Sequence, residues 1–225
     1  MSLFRSETVK CPACGADHTA DIFFSVNADR RADLRDATID RSFQVETCGR
    51  CGESFRIDPD LNYLDMGRGQ WISVHPLLQL GRWEELLPVD QAAFDHSYGS
   101  GATEGGREIG EELTVRVVFG WAGFREKLVA SDAGLDDVEL ELLKIALIRH
   151  QDDAPLSDAV ELRLVDVVDG DLVLAWLDGA KDEVVETLIV PMSAYANVAG
   201  DTEGWAELRK ELTATPFVDM QRLMI

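Results

Sequence analysis

No run of eighteen consecutive apolar residues occurs in the chain, which excludes a membrane-spanning helix. The first residues, Met1-Ser2-Leu3-Phe4-Arg5-Ser6-Glu7, carry no basic stretch leading into an apolar core; no secretory leader is expected, and the expected compartment is the cytoplasm. Cations are scarce, with 21 Lys and Arg against 42 Asp and Glu and a formal charge of −21. A field of that sign repels phosphate backbones and anionic lipid, so neither nucleic acid nor membrane is an expected partner. The shortage is uneven: residues 101–225 hold 26 acidic and 11 basic side chains.

Catalytic signatures are also lacking. His18, His75, His96 and His150 share no ligand spacing. Asp95-His96-Ser97 is not accompanied by a nucleophile turn. Gly99 and Gly101 with Gly105-Gly106 lack the Lys-Ser/Thr pair that closes a phosphate loop. Arg30, Arg31 and Arg35 alternate with Asp29, Asp33 and Asp36, which reads as a solvated helix face. The expectation is a protein that is not an enzyme.

What is present is a matched pair of Cys-x-x-Cys-Gly units, Cys11-Pro12-Ala13-Cys14-Gly15 and Cys48-Gly49-Arg50-Cys51-Gly52, which use all four cysteines. Two intervening residues let one tight turn aim both sulfurs at a single point, and the following Gly permits a positive φ. Two facing knuckles give tetrahedral sulfur coordination, which suits one structural zinc ion on Cys11, Cys14, Cys48 and Cys51. A thiol–disulfide pair or an iron centre is less well matched, since a redox Cys-x-x-Cys normally occurs once, at the start of a helix. The 33 residues between the knuckles exceed the usual ribbon spacing and are expected to be structured. Lys10 and Arg50 flank the site and could offset the −2 charge of a tetrathiolate zinc centre.

The pattern predicts an α+β protein: an N-terminal four-cysteine zinc ribbon followed by an antiparallel sheet with packed helices. Residues 1–78 read as the ribbon domain, 79–110 as a connecting segment and 111–225 as an acidic α+β domain. Strands are expected over 21–26, around Phe43–Val45, over 54–57 and over 70–74, with a short helix between 28 and 37. In the connection, Pro88 should separate a helical turn over 83–87 from another over 90–96 N-capped by Asp90. The stretch 98–106, rich in glycine, is expected to be a linker. Beyond it, the reading gives a strand over 113–119, helices over 122–130 and 136–149, and strands 161–166 and 172–177 joined at Asp169-Gly170. A strand over 184–190, a helix-compatible stretch from Pro191 and a helix over 203–212 complete it.

The run C-P-x-C-G, then Ser25-Val26-Asn27, Leu34, Phe43 and C-x-x-C-G followed by Asp60-Leu61-Asn62-Tyr63-Leu64-Asp65 resembles the CpXC domain family of bacteria and archaea. The resemblance covers residues 9–76, with a weaker echo around Val118-Phe119-Gly120 and from Glu126 to Asp137. Cys48 is followed by Gly49 where the family usually has proline; glycine makes the same turn. The resemblance implies the four cysteines as metal ligands and little about activity. The function expected is that of a zinc-binding, non-catalytic interaction or scaffold module whose partners are proteins, its own copies included. The alternative is a thiol redox sensor that releases zinc on oxidation.

Overall fold

A computed structural model describes residues 2–150, 160–179 and 181–223. The chain divides into two compact units, Met1–Pro76 with Pro88–Val115, and Leu77–Leu87 with Arg116–Ile225. The architecture is mixed α and β, as the sequence pattern predicts.

The first unit starts with an antiparallel hairpin of β1 (Leu3–Lys10) and β2 (Asp17–Asn27), closed with Lys10 opposite Asp17. Helix α1 (Ala32–Ile39) and a small hairpin of β3 (Val45–Thr47) and β4 (Ser54–Arg56) follow. Strand β5 (Leu61–Asp65) then lies parallel to the end of β2, and β6 (Gln70–His75) returns antiparallel to β5. Parallel neighbours cannot be joined by a tight turn, so the β2–β5 connection is a crossover, and it carries α1 and the β3–β4 hairpin. Register sets Val26, Leu61, Tyr63, Ile72 and Val74 on one face of the sheet, and all five are buried.

Several local expectations are corrected here. Pro88 does not end a helix: α2 runs unbroken from Trp83 to Ser97. Asp90 is therefore not an N-cap. It is a buried side chain that accepts the Ser73 hydroxyl at 2.6 Å and sits 2.9 Å from His75 Nε2. Arg35 is not on a solvated face; it is buried and pairs with buried Asp65 at 3.5 Å. The stretch 98–106 is not a linker. It turns into helix α3 (Glu104–Glu111), N-capped by Thr103, inside the first unit. Two of its glycines serve close approach: a Cβ on Gly110 would lie 2.0 Å from the Tyr98 carbonyl oxygen, and one on Gly106 2.9 Å from that of Ser97.

Strand β7 (Thr114–Phe119) begins in the first unit and ends in the second. The second unit continues with α4 (Gly120–Asp132) and α5 (Asp137–His150). Asp136 caps α5, its carboxylate accepting the N–H groups of Val138 and Glu139. A three-stranded antiparallel meander follows, β8 (Val160–Val168), β9 (Asp171–Asp178) and β10 (Glu183–Pro191). The β8–β9 turn is Asp169-Gly170, with φ of 52° and 86°, the doubly left-handed geometry expected of that dipeptide. Helices α6 (Met192–Gly200) and α7 (Ala206–Leu212) complete the unit. Leu140, Leu142 and Leu143 of α5 pack with Leu162, Leu164, Leu172, Leu174 and Trp176 of the sheet to form its core. Residues 77–87 join this unit because Leu77, Leu80, Trp83, Leu86 and Leu87 pack against Val117, Phe119 and Phe217. That packing, not glycine content, sets the division of the chain. Among the described residues no helix is long and apolar enough to cross a membrane.

Candidate metal centre

The first knuckle is the turn of the β1–β2 hairpin, and the second is the turn of the β3–β4 hairpin. Both close with the same pair of backbone bonds. The Cys11 N–H donates to the Ala16 carbonyl at 2.9 Å and the Gly15 N–H to the Cys11 carbonyl at 2.9 Å. In the second, Cys48 N–H donates to Glu53 and Gly52 N–H to Cys48, each at 2.8 Å. Gly15 and Gly52 hold φ of 67° and 77° with open space where a Cβ would be. Glycine is needed there for its backbone, not for room.

The two hairpins are aligned by side chains from between them. Gln44, itself at φ 57°, accepts the Phe23 N–H at 2.9 Å and donates to the Asp21 carbonyl at 2.8 Å. Its amide thus stands in for a neighbouring strand along β2. His18 lies 2.9 Å from Glu46 and edge-on to Phe55.

This alignment brings all four sulfurs within 4.8 Å of one another. Across the knuckles, Cys11 to Cys51 and Cys14 to Cys48 are each separated by 3.7 Å. A tetrahedron with metal–sulfur bonds of about 2.3 Å has an edge of about 3.8 Å, so the observed spacing fits a four-sulfur metal site. Cys11 and Cys48 are buried, Cys14 is half-buried and Cys51 is exposed. Backbone N–H groups of Cys51 and Arg50 lower the Cys48 thiol to about 6, which favours the thiolate that metal binding requires. The Glu53 N–H has the same effect on Cys51, but the neighbouring Cys14 thiol and burial outweigh it and raise that group. Lys10, which flanks the site, is turned to Asp17 in an exposed ion pair.

Two charged clusters away from the sulfurs were not foreseen from the sequence. In the first unit His75 is buried between Asp60, 2.7 Å from Nδ1, and Asp90, 2.9 Å from Nε2. Burial pushes its pKa down, but the two carboxylates outweigh it and the net shift is upward. In the second unit Glu126 of α4, Glu141 and Lys144 of α5 and Arg163 of β8 are almost wholly buried together. Lys144 reaches both Glu126 and Glu141, while Arg163 reaches Glu126, Glu161 and Asp219. Lys127 meets Asp137, which also takes the fork of Arg116. These are five acids and four cations. The surplus acid agrees with burial raising Glu141 to about 7, close to neutral pH. The signal was faint: in Glu161-Leu162-Arg163-Leu164 the alternation was visible, but its polar face is a buried ionic layer instead of water.

The profile of the CpXC protein family matches residues 9–144. The chain belongs to the CpXC family. The matched span takes in both knuckles and continues through α4 into α5, so it includes Glu126, Glu141 and Lys144 but ends before Arg163 and Asp219. Neither a curated protein nor a solved structure matches this CpXC chain.

Proposed function

We propose that this CpXC protein is a zinc-binding, non-catalytic module that engages other proteins. The observation that carries the reading is the convergence of Cys11, Cys14, Cys48 and Cys51 within 4.8 Å. Four thiolates complete the shell of a tetrahedral zinc ion and leave no position for water or substrate. The ion then supplies folding energy and fixes how the two hairpins meet. Sulfur is a soft donor, and an all-sulfur tetrahedron favours zinc over the hard cations that prefer oxygen. Metal analysis of the untagged chain by mass spectrometry tests it: one zinc per chain is expected. An iron-loaded or metal-free chain with the same thiols protected overturns it. For the second half of the reading, cross-linking in extract of the native cell should give discrete protein adducts; their absence removes that half.

A redox-sensing reading draws on one specific observation. Cys51 is exposed and lies 3.7 Å from Cys11, so an oxidant can reach a thiol already beside its resolving partner. Oxidation of each thiol pair would give one disulfide, two protons and two electrons, the electrons reducing one hydrogen peroxide to two waters with those protons, and zinc would leave. Mild peroxide followed by a reductant separates the readings. A sensor loses and regains one zinc; a structural site keeps it.

A further inference from the structure

The β8–β9–β10 sheet treats its two edges differently. At β8, the N–H of Leu164 turns away from β9 and is taken by Glu126 Oε1 at 2.7 Å, with α4 packed alongside. At Leu164 that edge is covered from within the unit. At β10, Glu183 to Thr187 and Ile189 are exposed, with Val184, Val185 and Ile189 at 50%, 56% and 72%. Among the described residues no group hydrogen-bonds to β10 from its outer side.

An open strand edge is a template for another strand, and proteins usually blunt it with charge, proline or a bulge. Here the bulge lies at Val184/Glu186, near the start of the strand. From Glu186 to Pro191 the strand pairs without interruption with Trp176 to Asp171, so the ladder is regular there and its alternate outward N–H and C=O groups remain available, Pro191 offering no N–H. Register puts Val184, Thr187 and Ile189 on the same face as Leu177, Ala175 and Val173, giving an added strand apolar surface to cover.

Charge selects the occupant. Glu183 and Glu186 meet no cation among the described residues, and residues 101–225 hold 26 acids against 11 bases. A second copy paired antiparallel about Thr187, the middle of the strand, would set each Glu186 opposite Leu188 of the other copy, leaving the two Glu186 carboxylates as diagonal neighbours on one face with no cation brought to either. We propose that the outer edge of β10 accepts an extended, basic segment of another protein as an added strand. Main-chain hydrogen bonds along Glu186–Val190 provide affinity, apolar side chains cover Val184 and Ile189, and Lys or Arg lies opposite Glu183 and Glu186. This rests on the interaction-module reading and names its surface and the chemistry of its partner.

The test titrates the zinc-loaded full chain with two capped hexapeptides, alternating Lys-Val and alternating Glu-Val, following backbone amide shifts and hydrogen exchange. The Lys-Val peptide is expected to shift and protect amides within Glu186–Val190, with binding weakened by salt. The double variant Glu183→Lys with Glu186→Lys should lose at least tenfold in affinity for it and gain affinity for the Glu-Val peptide. Shifts located elsewhere, or none, overturn the proposal. So does protection of every amide in Glu186–Val190 in the free monomer, which would mean the chain covers its own edge. Sedimentation showing a dimer of the free chain that the double variant abolishes would assign the edge to a second copy and overturn it as well. The peptide result decides the edge by itself. Cross-linked adducts from native extract that survive the double variant leave the interaction module standing and refute only its placement on β10.

Discussion

The ammonium of Lys144 lies 2.9 Å from Glu126 Oε2, and neither side chain has any exposure to solvent. Desolvation opposes both charges, and each is held ionised by its neighbours: Lys144 and Arg163 lower Glu126, and Glu126 with Glu141 raises Lys144. Breaking one member of such a set leaves an uncompensated charge in the interior. Lys144→Met is expected to cost about 3–5 kcal/mol. The double variant Glu126→Gln with Lys144→Met should cost less than the sum of the single changes. Urea unfolding of the four proteins completes the cycle; additive costs would show that the pair is not coupled.

His75 ties stability to pH in the first unit. Its folded pKa is raised by Asp90 and Asp60 against the effect of burial, so the imidazolium form stabilises the fold. That contribution is fully present below the unfolded value of about 6.5 and is lost as pH rises through the raised folded value. The stability of the parent relative to His75→Gln should therefore fall as pH is taken upward across that window. Denaturant titrations at a series of pH values check it, and a difference that grows with pH would reverse the sign argued here. Ser73 and both carboxylates face this ring, so Asp60→Asn should reduce the pH dependence.

Removing the metal should act locally. Chelation at neutral pH is expected to unfold the β1–β2 and β3–β4 hairpins, with loss of amide protection at Gly15 and Gly52. Cys11→Ser and Cys48→Ser, which remove buried ligands, should do the same without chelator. Lowering pH should release the ion as the thiolates protonate. Hydrogen exchange read by mass spectrometry locates the change.

Glycines in one helix should respond with opposite signs. Gly105→Ala in α3 meets open space and is expected to stabilise by about 0.5–1 kcal/mol through lower backbone entropy in the unfolded chain. Gly110→Ala would put its Cβ 2.0 Å from the Tyr98 carbonyl oxygen, an overlap with backbone that should cost about 1–3 kcal/mol. Thermal melts of the two variants give the comparison directly.

Features set by local chemistry were legible in the sequence. The cysteine spacing located both knuckles, Asp169-Gly170 located the β8–β9 turn, and Asp136 located the start of α5. Features decided by distant contacts were not. Pro88 carried a stop signal, yet α2 continues through it, and Asp90 beyond it faces Ser73 and His75. The glycines of 98–106 carried a linker signal, but Gly106 in that run, like Gly110 beyond it, gives α3 room beside the carbonyls of Ser97 and Tyr98. Arg35 carried a surface signal that its buried partner Asp65 overrules. Glu126 and Lys144 lie on helices whose apolar periodicity was visible, but nothing local distinguishes a charged residue that faces solvent from one that faces an opposite charge inside.

The crossover between β2 and β5 also sets an order of events. The first knuckle is complete once β1 and β2 pair, but Cys48 and Cys51 follow it in the chain only beyond α1. Closing the 33 residues between Cys14 and Cys48 costs about 3 kcal/mol of chain entropy, set against the metal bonds gained at the end. On the ribosome, the ion can be captured fully only when the second hairpin has emerged. Metal supply would then govern the joining of the two hairpins, not the formation of the first.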